Sequence, residues 1–455
     1  MLDPQFRIRN NREVNEGLSA DQAIVEATRC LDCPDPQCVK GCPVGIDIPG
    51  FIKNIQHGDI ARAAAILSST SALPAVCGRV CPQEKQCESQ CIYNKMKKAP
   101  VAIGWLERYA ADTTRIANLV PQSESLAPNG MSVAVAGSGP CGLSFAGDMA
   151  KLGYQVTVFE ALHEIGGVLK YGIPEFRLPN SVVDAELEKL RMLGVKFMPD
   201  TIIGKTISYD DLCAQGYNAI FIASGAGLPR FMGIPGENFV NVLSANEYLT
   251  RINLMHAGQE GWDTPAPRGK SVAVIGGGNT AIDSVRTALR MGAERAMIIY
   301  RRSEQEMPAR LEEIEHAKQE GVEFITLANP VEYLADSQGR VKAVRIQRME
   351  LGQPDESGRR SPRPIPGAID EIDIDVAVVA IGVSPNPLIP ASIDGLDITN
   401  RGTIAIDDSM QTSIQCVYAG GDIVRGGATV ILAMGDGRKA AAALHLQLNA
   451  SLKEE

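Results

Sequence analysis

Eight of the eleven cysteines lie between Cys30 and Cys91, in two tight groups. The first reads Cys30-x-x-Cys33-x4-Cys38-x3-Cys42-Pro43, and the second reads Cys77-x3-Cys81-Pro82-x4-Cys87-x3-Cys91. Thiolates this close together on loops can converge on one inorganic core. A proline after a final cysteine recurs in ferredoxin-type runs, where that cysteine can serve the neighbouring cluster. Two [4Fe–4S] clusters are therefore expected, with structural zinc as the alternative because CxxC also suits zinc. Cys141, Cys213 and Cys416 stand apart and are expected to act as small apolar residues.

A second kind of chemistry is written in glycine. Gly137-Ser138-Gly139-Pro140-Cys141-Gly142 fits G-x-G-x-x-G between an apolar run and a helical one. The first glycine permits the tight turn, the second admits a pyrophosphate, and the third lets helix and strand pack closely. Glu160 ends the next apolar run, where a carboxylate can accept hydrogen bonds from ribose hydroxyls. The pattern returns as Gly276-Gly277-Gly278-Asn279-Thr280-Ala281, 139 residues later. Here the following run ends Tyr300-Arg301-Arg302, with no acid in the place of Glu160. Two guanidiniums at a strand end suit a 2′-phosphate, so NADPH is expected over NADH. The alternative is ion pairing of these arginines with Glu304 or Glu306. Near the end of the chain Gly420-Gly421-Asp422 follows the apolar CVYA, and Asp422 could bond a flavin ribityl hydroxyl with Gly426 and Gly427 keeping the backbone close.

The elements that must position these residues follow from periodicity. Residues 1–125 read as helices with cysteine-bearing loops: DQAIVEATRC with Asp21 placed to cap it, and GDIARAAAILSST starting near Asp59. The polar stretch PQSESLAPNG closes this module. SVAVAGSGPCG, CGLSFAGDMAKLG and YQVTVFE make strand, helix and strand, and SVAVIGGGNTAIDSVRTALRMG with AMIIY repeats the unit. The expected architecture is α/β. It comprises two Rossmann-like dinucleotide-binding domains, for FAD and NADPH, preceded by an α-helical iron–sulfur domain. The boundaries expected are 1–125 for the helical domain, 131–250 and 371–455 for the two parts of the FAD domain, and 251–370 for the NADPH domain.

Composition narrows the partners. With 44 basic against 54 acidic residues the chain is acidic, which disfavours nucleic acid. MLDPQFRIRN has no apolar h-region and no run is long enough to span a bilayer, so neither a signal peptide nor a membrane is expected. A cytoplasmic setting follows, in which clustered thiols bind metal or do redox work more often than they form disulfides.

Taken with these motifs, the stretches RCLDCPDPQCVKGCPV, LPAVCGRVCPQEKQCESQC, AIGWLERY, GGVLKYGIPEFRLP, YRRSEQEMPA and AGGDIVRGGATVILAMGDG resemble one family over nearly the whole chain. It is the family of the glutamate synthase small (β) subunit, which includes the large subunit of NADH-dependent ferredoxin:NADP oxidoreductase and the N-terminal half of dihydropyrimidine dehydrogenase. The resemblance implies cross-ligated clusters. Cys30, Cys33, Cys38 and Cys91 would hold one, and Cys42, Cys81 and Cys87 the other with Glu107 of AIGWLERY, leaving Cys77 as a spare thiol. It also implies flavin contacts at Gly167, Val168, Arg177, Gly421, Asp422, Thr429 and Val430, and Gly382 near the nicotinamide.

The activity so implied is electron transfer between NADP(H) and a partner through FAD and two [4Fe–4S] clusters. No side-chain acid or base is required for hydride transfer, and no catalytic residue is nominated. The expected partner is a larger glutamate synthase subunit. Alternatively it is a small flavin and [2Fe–2S] subunit of a bifurcating transhydrogenase, with ferredoxin as a further candidate, so a hetero-oligomer is expected. A self-contained disulfide reductase fits less well, because the CxxC-like groups lie in the N-terminal module. A scaffold with dead sites fits poorly with intact fingerprints.

Overall fold

The computed structural model describes residues 2–117, 119, 126–356 and 358–454, so part of the expected linker, 121–125, lies outside the described residues. The chain divides into two compact units, and each is built around a five-stranded sheet.

One unit comprises Asn15–Lys170, Arg177–Gly227 and Ser384–Glu455. Its first part is helical. Ala20–Thr28 is capped by Ser19, whose hydroxyl accepts from Gln22 N while the Gln22 side chain accepts from Ser19 N. This reciprocal arrangement takes the capping role expected of Asp21, which instead lies in the first turn, where its charge favours the helix dipole. Ile60–Thr70 starts at Asp59, whose carboxylate accepts from Arg62 N at 3.0 Å. Ile48–Gln56 buries Phe51, Ile52 and Ile55 at helical spacing. Ile103–Ile116 buries Leu106, Ala110 and Ala111, with Glu107 a polar exception on the buried face.

The sheet of this unit runs Val417–Ala419, Ala219–Ile222, Ser132–Ala136, Gln155–Phe159, Lys196–Met198. Every pairing is parallel. Its central strands are continuous apolar runs because both faces are covered, which leaves the carboxyl ends as the free edge for ligands. The closing strand comes from the far end of the chain, so this sheet is assembled from segments that precede and follow Leu228–Val383 in sequence.

The other unit comprises Met1–Val14, Tyr171–Phe176 and Leu228–Val383. Its parallel sheet runs Val242–Ser244, Val376–Val379, Ser271–Ile275, Arg295–Tyr300, Glu323–Thr326. A separate antiparallel sheet pairs Ala328–Ala335, Val341–Pro354 and Arg360–Asp373. The unit exceeds the expected 251–370 because its outer strand Val242–Ser244 pairs with Val376–Val379. The N-terminal arm also differs from the expected assignment to the helical module. Arg7 is fully buried within this unit, where its Nε lies 3.0 Å from Glu320. Arg286 and Arg290 reach the same carboxylate at 2.7 and 2.8 Å, and Arg290 lies over the Phe176 ring at 3.8 Å. Buried charges of this kind persist only when mutually paired, so the ion pairs tie arm, loop and helices into one body.

Candidate functional site

The first glycine turn is held by its own acid. Gly137 has φ +108, and a Cβ there would lie 2.5 Å from the Ala223 carbonyl, so only glycine fits. Gly139 caps the helix Pro140–Lys151, in which Gly142 lies close under the turn. Glu160, just past the strand, turns inward. Its carboxylate accepts from Ser138 N at 2.9 Å, Ser138 Oγ at 2.5 Å and Leu162 N at 2.9 Å. Ser138 Oγ in turn accepts from Gly166 N at 2.9 Å, which fastens the loop carrying Gly167 and Val168 to the turn. A Cβ on Gly167 would lie 2.9 Å from Gly139 Cα, so these two backbones meet. Arg177 is buried in the same unit.

The C-terminal signature joins the same sheet edge. Gly421 has φ +75 and its N–H donates to Asp436 at 3.0 Å. Asp422 accepts from Ala428 N at 3.2 Å, and burial raises its carboxyl to about 6, with Asp436 adding repulsion. Thr429 Oγ1 accepts from Leu432 N at 3.3 Å at the start of the helix Val430–Glu454. That helix therefore presents its free N–H groups beside Asp422 and Thr429, a favourable setting for an anionic or polar ligand. Asp436 was not singled out from sequence; its place in LAMGDG is the only signal for it.

The second glycine turn repeats the first in backbone and departs from it in side chains. Gly276 has φ +143, and a Cβ there would lie 2.3 Å from the Ala380 carbonyl. Gly278 precedes the helix Asn279–Arg290, so Gly277, Asn279 and Thr280 lie at its N-terminus. Asn279 Oδ1 accepts from Arg310 N at 2.9 Å. At the strand end Arg301 is exposed and Arg302 is buried. Neither pairs with Glu304 or Glu306. Glu304 pairs with Lys318 at 2.5 Å, Glu306 with Arg360 at 2.7 Å, and Arg302 with Asp355. Gly382 has φ +115, and its carbonyl accepts from Arg230 N at 3.1 Å.

The cysteines form two sets that each draw on both sequence groups. Burial raises the Cys30 thiol, and Cys33 and Cys91 add repulsion. Burial likewise raises Cys38 to about 11, with Cys30 and Cys91 adding to it. Those four therefore share one neighbourhood. Cys42, Cys81, Cys87 and Glu107 line a single small cavity with Ile46, Phe51 and Ile431. Burial pushes the Glu107 carboxyl up to about 8, with Glu186 contributing repulsion, and Glu107 Oε1 has no hydrogen-bond partner among the described residues. Burial raises the Cys42 and Cys87 thiols, and contact with the Cys77 thiol together with burial raises Cys81. Such a set of buried potential anions calls for a cation to compensate it. Among the described residues no three His, Cys, Asp or Glu side chains are disposed to hold a single metal ion. Thiols and a carboxylate gathered around one cavity are the donor set an iron–sulfur core would take. Cys77 stands behind this set, its Sγ 3.5 Å from Met434 Sδ.

Two glycine turns at sheet edges and a thiol-lined cavity define a class of protein, the iron–sulfur flavin oxidoreductases that use NADPH. Family comparison agrees: the dihydropyrimidine dehydrogenase domain II model, with its 4Fe–4S cluster, matches residues 7–119, and the pyridine nucleotide-disulphide oxidoreductase model matches 131–437. The chain is 36% identical to the glutamate synthase [NADPH] small chain of Azospirillum brasilense, over 95% of this chain and 90% of that one. It is also 36% identical to the NADPH-Fe(3+) oxidoreductase subunit beta of Geobacter sulfurreducens, over 91% of this chain and 64% of that one. Among solved structures, Mycobacterium tuberculosis FprA in complex with NADPH shares the fold with TM-score 0.59 at 20% identity, covering 71% of this chain and 86% of that one. The chain belongs to the glutamate synthase small-chain family, and it is an NADPH-dependent oxidoreductase of that FAD and iron–sulfur type.

Proposed function

We propose that this chain takes electrons from NADPH onto FAD and passes them through two [4Fe–4S] clusters to a partner subunit. The observation that carries this reading is the convergence of Cys42, Cys81, Cys87 and Glu107, drawn from three separate segments, on one cavity. In this reading those four hold one cluster, and Cys30, Cys33, Cys38 and Cys91 hold the other. When bound, a flavin accepts a hydride and releases its two electrons singly, and each cluster takes one electron at a time.

The chain's own residues bind and orient. Gly137, Ser138, Gly139, Pro140 and Gly142 admit the FAD pyrophosphate, and Glu160 keeps their turn closed. Gly167, Val168 and Arg177 line the flavin, and Gly421, Asp422, Thr429 and Val430 meet its ribityl chain and ring. Gly276, Gly277, Gly278, Asn279 and Thr280 admit the NADPH pyrophosphate, the strand end carrying Arg301 and Arg302 forms the 2′-phosphate end of the site, and Gly382 leaves room at the nicotinamide. Among the described residues no single helix is long and apolar enough to cross a membrane, and clustered cysteines used as metal ligands suit a reducing cytoplasm.

The test is composition. Protein purified anaerobically should carry about eight iron and eight sulfide per chain with one flavin, and Glu107→Ala should lower the iron content while keeping the flavin. Zinc in place of iron would contradict the reading. The relatives are small chains or subunits of larger enzymes, and the partner proposed is a larger glutamate synthase subunit. Mass spectrometry of co-purifying chains decides it. A large chain with an amidotransferase domain supports that partner, and a small flavin and [2Fe–2S] chain points to the transhydrogenase instead.

A further inference from the structure

The two arginines that end the strand Arg295–Tyr300 are not equivalent. Arg301 is exposed, and among the described residues it makes no hydrogen bond or ion pair. Arg302 is buried, its Nε donates to the Arg360 carbonyl at 2.8 Å, and its Nη2 pairs with Asp355. Asp355 and Arg360 flank the tip of the hairpin formed by Val341–Pro354 and Arg360–Asp373. That tip is a tight turn in which Asp355 N donates to the Arg359 carbonyl and Gly358 N to the Asp355 carbonyl, each at 2.8 Å.

A second ion pair of opposite polarity pins the same tip. Arg360 Nε lies 2.7 Å from Glu306 Oε1, and Ser303 Oγ donates to the other oxygen of Glu306. The segment so gripped also wraps the glycine turn. Tyr300 Oη donates to the Glu306 carbonyl at 3.0 Å, and Ala309 N donates to the Gly277 carbonyl at 3.3 Å. Ala328–Ala335 pairs with the first strand of the hairpin only as far as Arg348, so beyond that point the hairpin is two-stranded, and most of its return strand is exposed. A two-stranded extension of this kind gains little from strand pairing alone in water. The pairing is not a surface accident either, because the Arg302 side chain is 6% exposed and that of Asp355 31%.

We propose that Arg302 is a positioning residue rather than a phosphate ligand. Clamped by Asp355, it holds the hairpin tip at the rim of the nucleotide site, and Arg301 alone of the pair reads the 2′-phosphate. The proposal rests on the second glycine turn being the NADPH site. A guanidinium already matched by a carboxylate has its charge compensated and adds little attraction for a second anion, whereas the uncompensated Arg301 keeps its full attraction.

The test is calorimetric binding of adenosine 2′,5′-bisphosphate and of 5′-AMP to the holoprotein, with flavin content as the check on folding. Arg301→Ala should weaken the bisphosphate by about tenfold or more and leave 5′-AMP unchanged, as for loss of one charge-assisted contact. Asp355→Asn should also weaken the bisphosphate and speed tryptic cleavage after Arg359, because the tip is released. The double exchange Arg302→Asp with Asp355→Arg should restore both properties. Tighter bisphosphate binding in Asp355→Asn would overturn the clamp, since Arg302 would then be a ligand freed from a competitor. Failure of a folded double exchange to restore binding would overturn it too. If the exchange does not fold, the direction of the Asp355→Asn effect decides alone. If the native protein does not prefer the bisphosphate to 5′-AMP, the NADPH site itself is misassigned and the clamp falls with it.

Discussion

The two glycine turns share a backbone and differ in what the end of the next strand does. In the first, Glu160 folds back onto the turn and satisfies Ser138 and Leu162. In the second, no acid returns; Arg302 is gripped by a hairpin and Arg301 stays exposed. One βαβ design thus gives an inward, self-braced turn and an outward, cationic one. The difference lies in one or two side chains at an equivalent position, which is how a repeated fold comes to serve two different dinucleotides.

The comparison can be broken most sharply at the glycines. Gly137→Ala should strip the flavin, because the new Cβ meets the Ala223 carbonyl at 2.5 Å in a left-handed conformation. Gly276→Ala should spare the flavin and abolish NADP⁺ binding, with its Cβ 2.3 Å from the Ala380 carbonyl. Absorbance at the flavin band beside NADP⁺ titration reads both, and loss of both cofactors in either variant would break the separation. Next in size is Glu320→Gln, which leaves Arg7, Arg286 and Arg290 without their shared carboxylate and should cost about 3–5 kcal/mol in a thermal melt.

That cost has a definite pH dependence. Although burial works against it, hydrogen bonds from Arg286 and Arg290 hold the Glu320 carboxyl down at about 2. Its stabilisation is therefore complete above the ordinary carboxylate range and is lost as pH falls through about 2. The gap in stability between native protein and Glu320→Gln should close over that interval, and a gap that widened on acidification would refute the pairing.

Smaller again is Glu160→Gln. Its amide presents a donor toward Ser138 N or Leu162 N and should cost about 1–3 kcal/mol in flavin affinity, leaving NADP⁺ affinity unchanged by calorimetry. The smallest expected effect is kinetic. Arg301→Ala should raise the NADPH KM about tenfold while leaving kcat and the NADH KM as they were.

Much of this was legible in the chain itself, because the signals are local. Alternation of apolar strand, glycine turn and helix marks both units, and the crowding of eight cysteines between Cys30 and Cys91 marks the N-terminal module. What escaped sequence reasoning is non-local. Arg7 joins the nucleotide unit through Glu320, more than three hundred residues away, and nothing in MLDPQFRIRN announces it. Asp355 sits in a polar hairpin turn of no distinctive pattern, so sequence offers Arg302 a 2′-phosphate, or Glu304 or Glu306 as the alternative, and not this partner. Ser19 displaced Asp21 as a cap because a serine three residues before a glutamine closes a reciprocal pair that an aspartate two positions later cannot.

The central claim is that NADPH electrons reach the iron–sulfur module of this chain through its flavin. Anaerobic mixing of the native holoprotein with NADPH, followed by flavin absorbance and freeze-quenched electron paramagnetic resonance, tests it directly. The account predicts that the flavin band bleaches first and that the signal of a reduced [4Fe–4S] cluster then rises, with both changes lost in Gly276→Ala. A flavin that bleaches while no cluster signal follows, in protein shown to contain iron and sulfide, would contradict it.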